Sequence, residues 1–213
     1  MDLNTILDPI KEMAYPSGFS METLKSIPSY KKRLEYVESM LTKIASGSAR
    51  TVYKVDEEKV LKVAKNKKGL AQNQAESDWG AQQCECTARV FDRDENGLFI
   101  EMELARKVTP TKFKELVKVS IENIWTYLDI MNDLNNGNHV YLDNDDKAWL
   151  EELHNNEWVQ DLMSFIYDYG YPYPGDFGRL STYGIVSHEG RESIVLIDFG
   201  LTKDVLDTHY SHR

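Results

Sequence analysis

The stretch Ile194-Val195-Leu196-Ile197-Asp198-Phe199-Gly200 constrains the fold more than any other part of the chain. Four apolar residues, three of them β-branched, run into a carboxylate and then a glycine. β-Branched side chains pack well on a pleated surface, and a run that is apolar on both faces belongs to a buried strand. The glycine can make a turn, so the strand presents Asp198 at its end. Ile185-Val186 precedes it across His188-Glu189-Gly190-Arg191, a spacing that predicts a hairpin. Alone, such an ending is a weak signal. It gains weight from an ordered series upstream. The small-residue turn Ser46-Gly47-Ser48-Ala49 leads into Arg50-Thr51-Val52-Tyr53. A lysine then sits inside the apolar run Val60-Leu61-Lys62-Val63-Ala64, Glu76 lies in a helical stretch, and Gly175-Asp176 follows.

Periodicity gives the rest of the outline. Residues 3–14 and 29–42 are predicted helical, with Leu34, Val37, Met40 and Leu41 on one face of the second. From residue 44 to 55 the pattern turns to β, Asp56-Glu57-Glu58 is a polar turn, and 59–64 is the returning strand. A helix is predicted over 69–79, then a hairpin of 87–91 with 98–104. Thr109-Pro110 marks a helix start, because proline fits the first turn. Helices follow over 121–134, 146–153 and 157–169, the last with an apolar face of Trp158, Leu162, Phe165 and Ile166. The fold class is therefore α+β: a β-rich half, a connecting strand near 102–106, then a helical half.

Composition excludes several functions. Of 213 residues, 41% are hydrophobic and 28% charged, as in ordinary globular proteins. No apolar run approaches the roughly 18 residues of a membrane span. Met1-Asp2-Leu3-Asn4 lacks a signal peptide's basic start, so a cytoplasmic location without a membrane partner is expected. The net charge of -10 leaves only short basic clusters, at 31–33 and 62–68, so no nucleic-acid partner is expected. Cys84 and Cys86, two apart in a strand, would share a face, where a bridge would strain the backbone; reduced, packed thiols are expected. The polar tail beyond Asp207 is expected to fray.

Phosphoryl transfer needs cationic neutralisation, carboxylates to hold a metal ion, and an aligned nucleophile. Each part has a candidate. Val60 and Lys62 share a strand face, so Val60 can touch a base while Lys62 reaches phosphates and Lys65 points elsewhere. Glu76 can hold the Lys62 ammonium; the bland alternative is a solvated helical glutamate. Gly47 and Ser48 can offer backbone N–H groups to phosphates, or form an ordinary hairpin turn. Asp198 is a natural metal ligand, and Asp176 can orient an attacking hydroxyl. Tyr167, Tyr169, Tyr171 and Tyr173 can wall a site beside Asp176 or simply pack.

These motifs resemble the protein-kinase-like superfamily, and most closely a group of small kinase-like proteins of phages and bacteria. The resemblance rests on Ser46-Gly47-Ser48, Val60-Leu61-Lys62-Val63-Ala64, Gln72-Asn73-Gln74-Ala75-Glu76, Gly175-Asp176 and Asp198-Phe199-Gly200, and covers about residues 44–204. It implies a two-lobed fold with ATP and Mg²⁺ in the cleft. An N-terminal helical extension would span 1–43, a β-rich N-lobe 44–105, and a reduced helical C-lobe 106–213. Val60, Met102, Glu103, Leu104 and Ala105 would line the adenine pocket. Lys62, Glu76 and Asp176 would be catalytic, and Asp198 the metal ligand. Four departures stand out. Pro174-Gly175-Asp176 stands in place of the usual His-Arg-Asp and resembles the small-molecule kinase version more. Ser181 occupies the second metal ligand's place, where kinases keep asparagine. Ala45 and Arg50 stand where glycines are expected in the phosphate loop. Only residues 201–213 follow the glycine, too few for an activation segment or a peptide-docking platform.

Three functions compete. The four candidate residues favour an ATP-dependent phosphotransferase acting on an unidentified protein or small molecule, in the host cytoplasm if the protein is phage-encoded. The missing asparagine, the degraded glycine turn and the truncated C-lobe favour a catalytically inactive nucleotide-binding or interaction module. A nucleotidyl transferase on the same fold is the third, since one fold can host different chemistries.

Overall fold

The β-rich half forms one antiparallel sheet in the computed structural model, which describes residues 15–170 and 176–210. Its strands are β1 (Thr42–Ser46), β2 (Arg50–Lys54), β3 (Lys59–Ala64), β4 (Val90–Arg93) and β5 (Phe99–Glu103), in the order β1-β2-β3-β5-β4. Asp56 closes the β2–β3 turn by accepting from the backbone N–H of Glu58 (2.7 Å) and Lys59 (2.8 Å), the usual role of an aspartate that starts a turn.

Side chains alternate along β3, and this alternation divides the core. Leu61 and Val63 join Tyr53 and Phe99 on one face, where Leu24, Val37 and Leu41 cover them. The helices α1 (Met21–Ser26) and α2 (Tyr30–Glu38) supply Leu24 and Val37. Each of those fully buried side chains contributes on the order of 2 kcal/mol by leaving water. On the other face Val60, Ile100 and Met102 join the main core. Lys62 lies on that second face.

Helix α3 (Lys67–Glu76) follows β3 and is capped by Asn66, whose side chain accepts from Gly69 N. Two glycines let it pack closely. A Cβ on Gly69 would lie 2.2 Å from Ala49 O, and one on Gly200 would lie 2.6 Å from Gln72 O. The helix is thus pressed against the 46–50 turn and against Asp198-Phe199-Gly200.

The remainder comprises β6 (Arg106–Lys107), α4 (Pro110–Val117), α5 (Ile121–Asn135), α6 (Asn144–His154), α7 (Glu157–Asp168), β7 (Tyr183–His188), β8 (Arg191–Leu196) and α8 (Lys203–His209). Strands β6-β7-β8 form a second antiparallel sheet. Thr109 caps α4 with proline in its first turn. Helix α7 buries Val159, Leu162, Phe165 and Ile166, and its Trp158 indole donates to Ile194 O (3.1 Å), pinning the helix to β8.

Several sequence expectations need correction. The helix predicted over 29–42 stops at Glu38 and β1 begins at Thr42, so Met40 lies outside the helix and is exposed. The helix predicted over 69–79 runs from Lys67 to Glu76. Thr87 lies outside β4 and makes an isolated bridge to Leu196. Cys84 and Cys86 are not reduced thiols but a disulfide. They occupy a turn after the short 3-10 segment Ala81–Gln83 rather than a strand, so the strand geometry that argued against a bridge does not apply. The tail also differs. Helix α8 continues to His209, and Tyr210 accepts a hydrogen bond from Gln72 Nε2 (3.2 Å) while Lys68 sits over its ring. The helix predicted over 3–14, along with Tyr171, Tyr173 and Gly175, lies outside the described residues.

Candidate active site

A cavity of about 530 Å³ opens between the five-stranded sheet and the end of the β7–β8 hairpin. Gly47 and Ser48 line it from the 46–50 turn, and Val60 and Lys62 from β3. Met102, Glu103, Leu104 and Ala105 line it where the chain leaves β5, and Asp176, Ser181 and Asp198 from the opposite side. Glu76 does not line the cavity. It lies fully buried behind Lys62.

Local structure explains these positions. Strand β8 buries Ile194, Val195 and Leu196, which carries Asp198 to the cavity rim. Phe199 packs edge-on against Phe165 of α7 (5.6 Å between centroids), and Phe177 packs against the same ring (6.5 Å). One core phenylalanine therefore supports the residues beside both Asp198 and Asp176. The Asp176 loop is tied further, since its carbonyl accepts from Arg179 N (3.0 Å) and Thr182 Oγ1 (2.8 Å). Asp176 Oδ1 pairs with the exposed Arg179 at 2.8 Å, a surface contact of modest worth.

The centre of the site is a polar cluster around Glu76. Lys62 Nζ donates to Glu76 Oε2 (2.7 Å) and to Ile197 O (2.5 Å). Glu76 Oε1 accepts from the backbone N–H of Phe199 (2.9 Å) and Gly200 (3.0 Å). One carboxylate thus links the strand lysine to the backbone that carries Asp198. Burial works against the charge on Glu76, but Arg50 and Lys62 outweigh it and hold the carboxyl down to about 2. Burial pushes the Lys62 ammonium below its ordinary value, opposed by Glu76 and reinforced by Arg50.

Arg50 and Asn73 are part of this cluster, and sequence reasoning had given neither a role. Arg50, at the start of β2, is buried and bonds Glu76 (2.7 Å), Asp198 Oδ1 (2.5 Å) and Asn73 Oδ1 (3.3 Å). Asn73 also donates to Gly97 O (2.9 Å), so it fixes one side of the guanidinium. The signal was the spacing of Asn73 and Glu76, three apart on one helix face.

The turn is held from below. Lys65 Nζ donates to Gly47 O (2.8 Å), Asn66 Nδ2 to Ser48 O (3.0 Å), and Gly47 N to Arg50 O (2.9 Å). The Gly47 amide is therefore engaged within the turn. Tyr169 packs on Phe165 (5.2 Å) and Tyr167 is exposed, and neither lines this cavity.

Among the described residues no group of three His, Cys, Asp or Glu side chains could cage a metal ion. Mg²⁺, however, commonly takes one or two carboxylates together with substrate phosphates. Asp198, with its side chain 68% exposed at the cavity, fits a cation arriving with a nucleotide.

Neither family models nor curated proteins match the chain. Among solved structures it is similar to one described as the GDP and kanamycin complex of APH(2")-IIia, at 11% identity over 76% of this chain and 67% of that one, with a TM-score of 0.31. A likeness that slight carries no argument, and the site's own geometry has to carry the function. No helix among the described residues is long and apolar enough to cross a membrane.

Proposed function

We propose that the chain is an ATP-dependent phosphotransferase of protein-kinase-like architecture, with lobes of 44–105 and 106–213 behind an N-terminal extension. The observation that carries this reading is the double engagement of Glu76, which binds Lys62 of β3 and the amides of Phe199 and Gly200. In protein kinases the strand-lysine to helix-glutamate pair and the metal-binding aspartate must both be in place for transfer.

In this reading Val60, Met102 and the Glu103-Leu104-Ala105 stretch receive the adenine, and Ser48 lies over the phosphates. Lys62 neutralises phosphate oxygens and Glu76 keeps it aimed. Asp198 and Ser181, which line the same cavity, would hold Mg²⁺, which when bound supplies neutralisation of the phosphate charge. Asp176 accepts the proton of the attacking hydroxyl. Its position on a loop braced by Phe177 and Thr182 suits a group that must stay oriented. The acceptor is a protein or small molecule.

A second reading has its own support. Ser181 is a weaker metal donor than asparagine, and Arg50 already engages Asp198. Both favour a module that binds nucleotide without transferring it.

Incubation with ATP labelled at the γ or the α phosphate, with and without a bacterial lysate, separates the readings. Label from γ supports the phosphotransferase, label from α a nucleotidyl transferase, and nucleotide binding without label the inactive module. Within the first, Asp198→Asn is expected to weaken nucleotide binding in magnesium and lower transfer by orders of magnitude. Asp176→Asn is expected to spare binding and lower transfer. The reverse pattern would overturn the assignment of roles.

A further inference from the structure

The phosphate end of the cavity holds two cations of the chain itself. Lys62 and Arg50 face Glu76 and Asp198, two positive groups against two negative, so the cluster is neutral before any ligand enters. The two cations are not equivalent. Lys62 is committed to Glu76 and Ile197 O, deep in the cluster. The Arg50 guanidinium spans the distance between the buried Glu76 and Asp198, at the rim, and lines the cavity. Its planar fork can serve several acceptors at once, which a lysine there could not do. Asn73 and Glu76 fix its inner side, which leaves the Asp198 contact as the exchangeable one.

Arg50 engages Oδ1 of the same exposed carboxylate that a divalent cation would use. A guanidinium bonded to that carboxylate and a metal ion on either of its oxygens compete, because the two like charges repel at such short range. We propose that Arg50 is a positioning residue and resident cation of the phosphate site, which competes with a divalent cation for Asp198 and, when displaced, turns the Nη2 N–H that Asp198 held to the nucleotide's phosphates. Arg50 stands where a glycine is expected, in the strand that leaves the phosphate turn, so its charge lies beside the path of the phosphates. The consequence is nucleotide binding that depends less on divalent cation than a lone carboxylate would allow. The inference rests on the nucleotide reading of the site, but its metal half does not require that reading.

The test has two arms. In the first, Mn²⁺ binding without nucleotide is measured by the loss of the free-ion EPR signal for the wild type, Arg50→Gln, and Arg50→Gln combined with Asp198→Asn. Removing the competing charge is expected to tighten Mn²⁺ binding about tenfold in Arg50→Gln, a gain abolished in the double variant. In the second, a fluorescent ATP analogue is titrated in EDTA and in Mg²⁺. The wild type is expected to retain binding in EDTA, with Arg50→Gln weakening it about tenfold there and less in Mg²⁺. Arg50→Lys should restore part of the EDTA binding because it keeps the charge. It should still bind Mn²⁺ more tightly than the wild type, because an ammonium held at Glu76 does not also reach Asp198. That variant decides the matter if Arg50→Gln does not fold. Equal Mn²⁺ affinity in the wild type and the folded Arg50 variants would overturn the inference and leave Arg50 a purely structural ion pair. Failure of nucleotide to bind under any condition would overturn the nucleotide reading instead, with the Mn²⁺ arm still deciding the competition at Asp198.

Discussion

Replacing Glu76 by glutamine probes the joint on which the site depends. The side chain keeps its length and loses its charge. Five donor contacts converge on the carboxylate: two from the Arg50 guanidinium and one from Lys62, all at 2.7 Å, and the amides of Phe199 (2.9 Å) and Gly200 (3.0 Å). A glutamine amide offers one acceptor oxygen and turns an N–H₂ donor toward the remaining donors. Removing one partner of a buried ion pair costs about 3–5 kcal/mol, because the other charge stays buried without compensation. The individual bonds are not additive, so we take that range as the whole effect. It is a large part of a native stability on the order of 5–15 kcal/mol. At roughly 2–4 °C per kcal/mol for a chain of this size, the melting temperature should fall by about 6–20 °C.

The same variant carries a signed pH dependence. The folded state holds the Glu76 carboxyl at about 2, against 4.5 for a free side chain. A depressed folded value means stabilisation that is present above the unfolded value and lost as pH falls through the folded one. The stability difference between the wild type and Glu76→Gln should therefore be greatest above about pH 5 and shrink steadily toward pH 2. Urea unfolding at a series of pH values reads it directly. A loss under about 1 kcal/mol at neutral pH, or a difference that does not change with pH, would refute the claim that this carboxylate anchors the cluster.

Two further outcomes follow from packing. Gly69→Ala puts a Cβ 2.2 Å from Ala49 O, so α3 must shift from the 46–50 turn; we expect a loss of about 1–3 kcal/mol in urea and, on the proposed function, weaker nucleotide binding, and unchanged values for both would refute the close packing. Tyr210→Ala removes the bond from Gln72 and the ring beneath Lys68, so we expect about 1 kcal/mol of destabilisation by urea unfolding, whereas an unchanged midpoint would show that the tail does not dock.

Most of the architecture was legible because it follows from periodicity. Strand β3 falls on Lys59–Ala64, where the strand returning from the polar turn was predicted; α4 begins at the Thr109-Pro110 signal, and α7 at Glu157, where the predicted apolar-faced helix starts. What failed shares a different cause. The end of α2 and the docking of Tyr210 depend on what the rest of the chain supplies, and no local pattern records that. Met40 continued a helical face in sequence, yet the chain turned to β1 before reaching it. The cysteine pair was judged on strand geometry, and the bend after Ala81–Gln83 removed the premise. Tyr210 is polar enough to predict fraying, but a helix with an acceptor-seeking Gln72 and a cationic Lys68 lay within reach.

Arg50 shows where reading one residue at a time stops. In sequence it was a departure, a charged side chain at a place that would favour glycine. Glycine at such a place lets backbone approach phosphate, and losing it counts against a phosphate site. The folded chain reverses the sign of that evidence. Asn73 and Glu76, three apart on α3, receive the guanidinium, and Asp198 meets it from the segment just past β8, 148 positions away. A buried arginine without such acceptors would be prohibitive, and with them it brings positive charge to the wall where phosphates are proposed to lie. The departure at Arg50 and the departure at Ser181 then bear on one question, how positive charge is distributed around Asp198. With serine where asparagine is expected, the proposed metal site has less means of holding a second divalent cation, and a guanidinium already bonded to Asp198 would supply charge in its place.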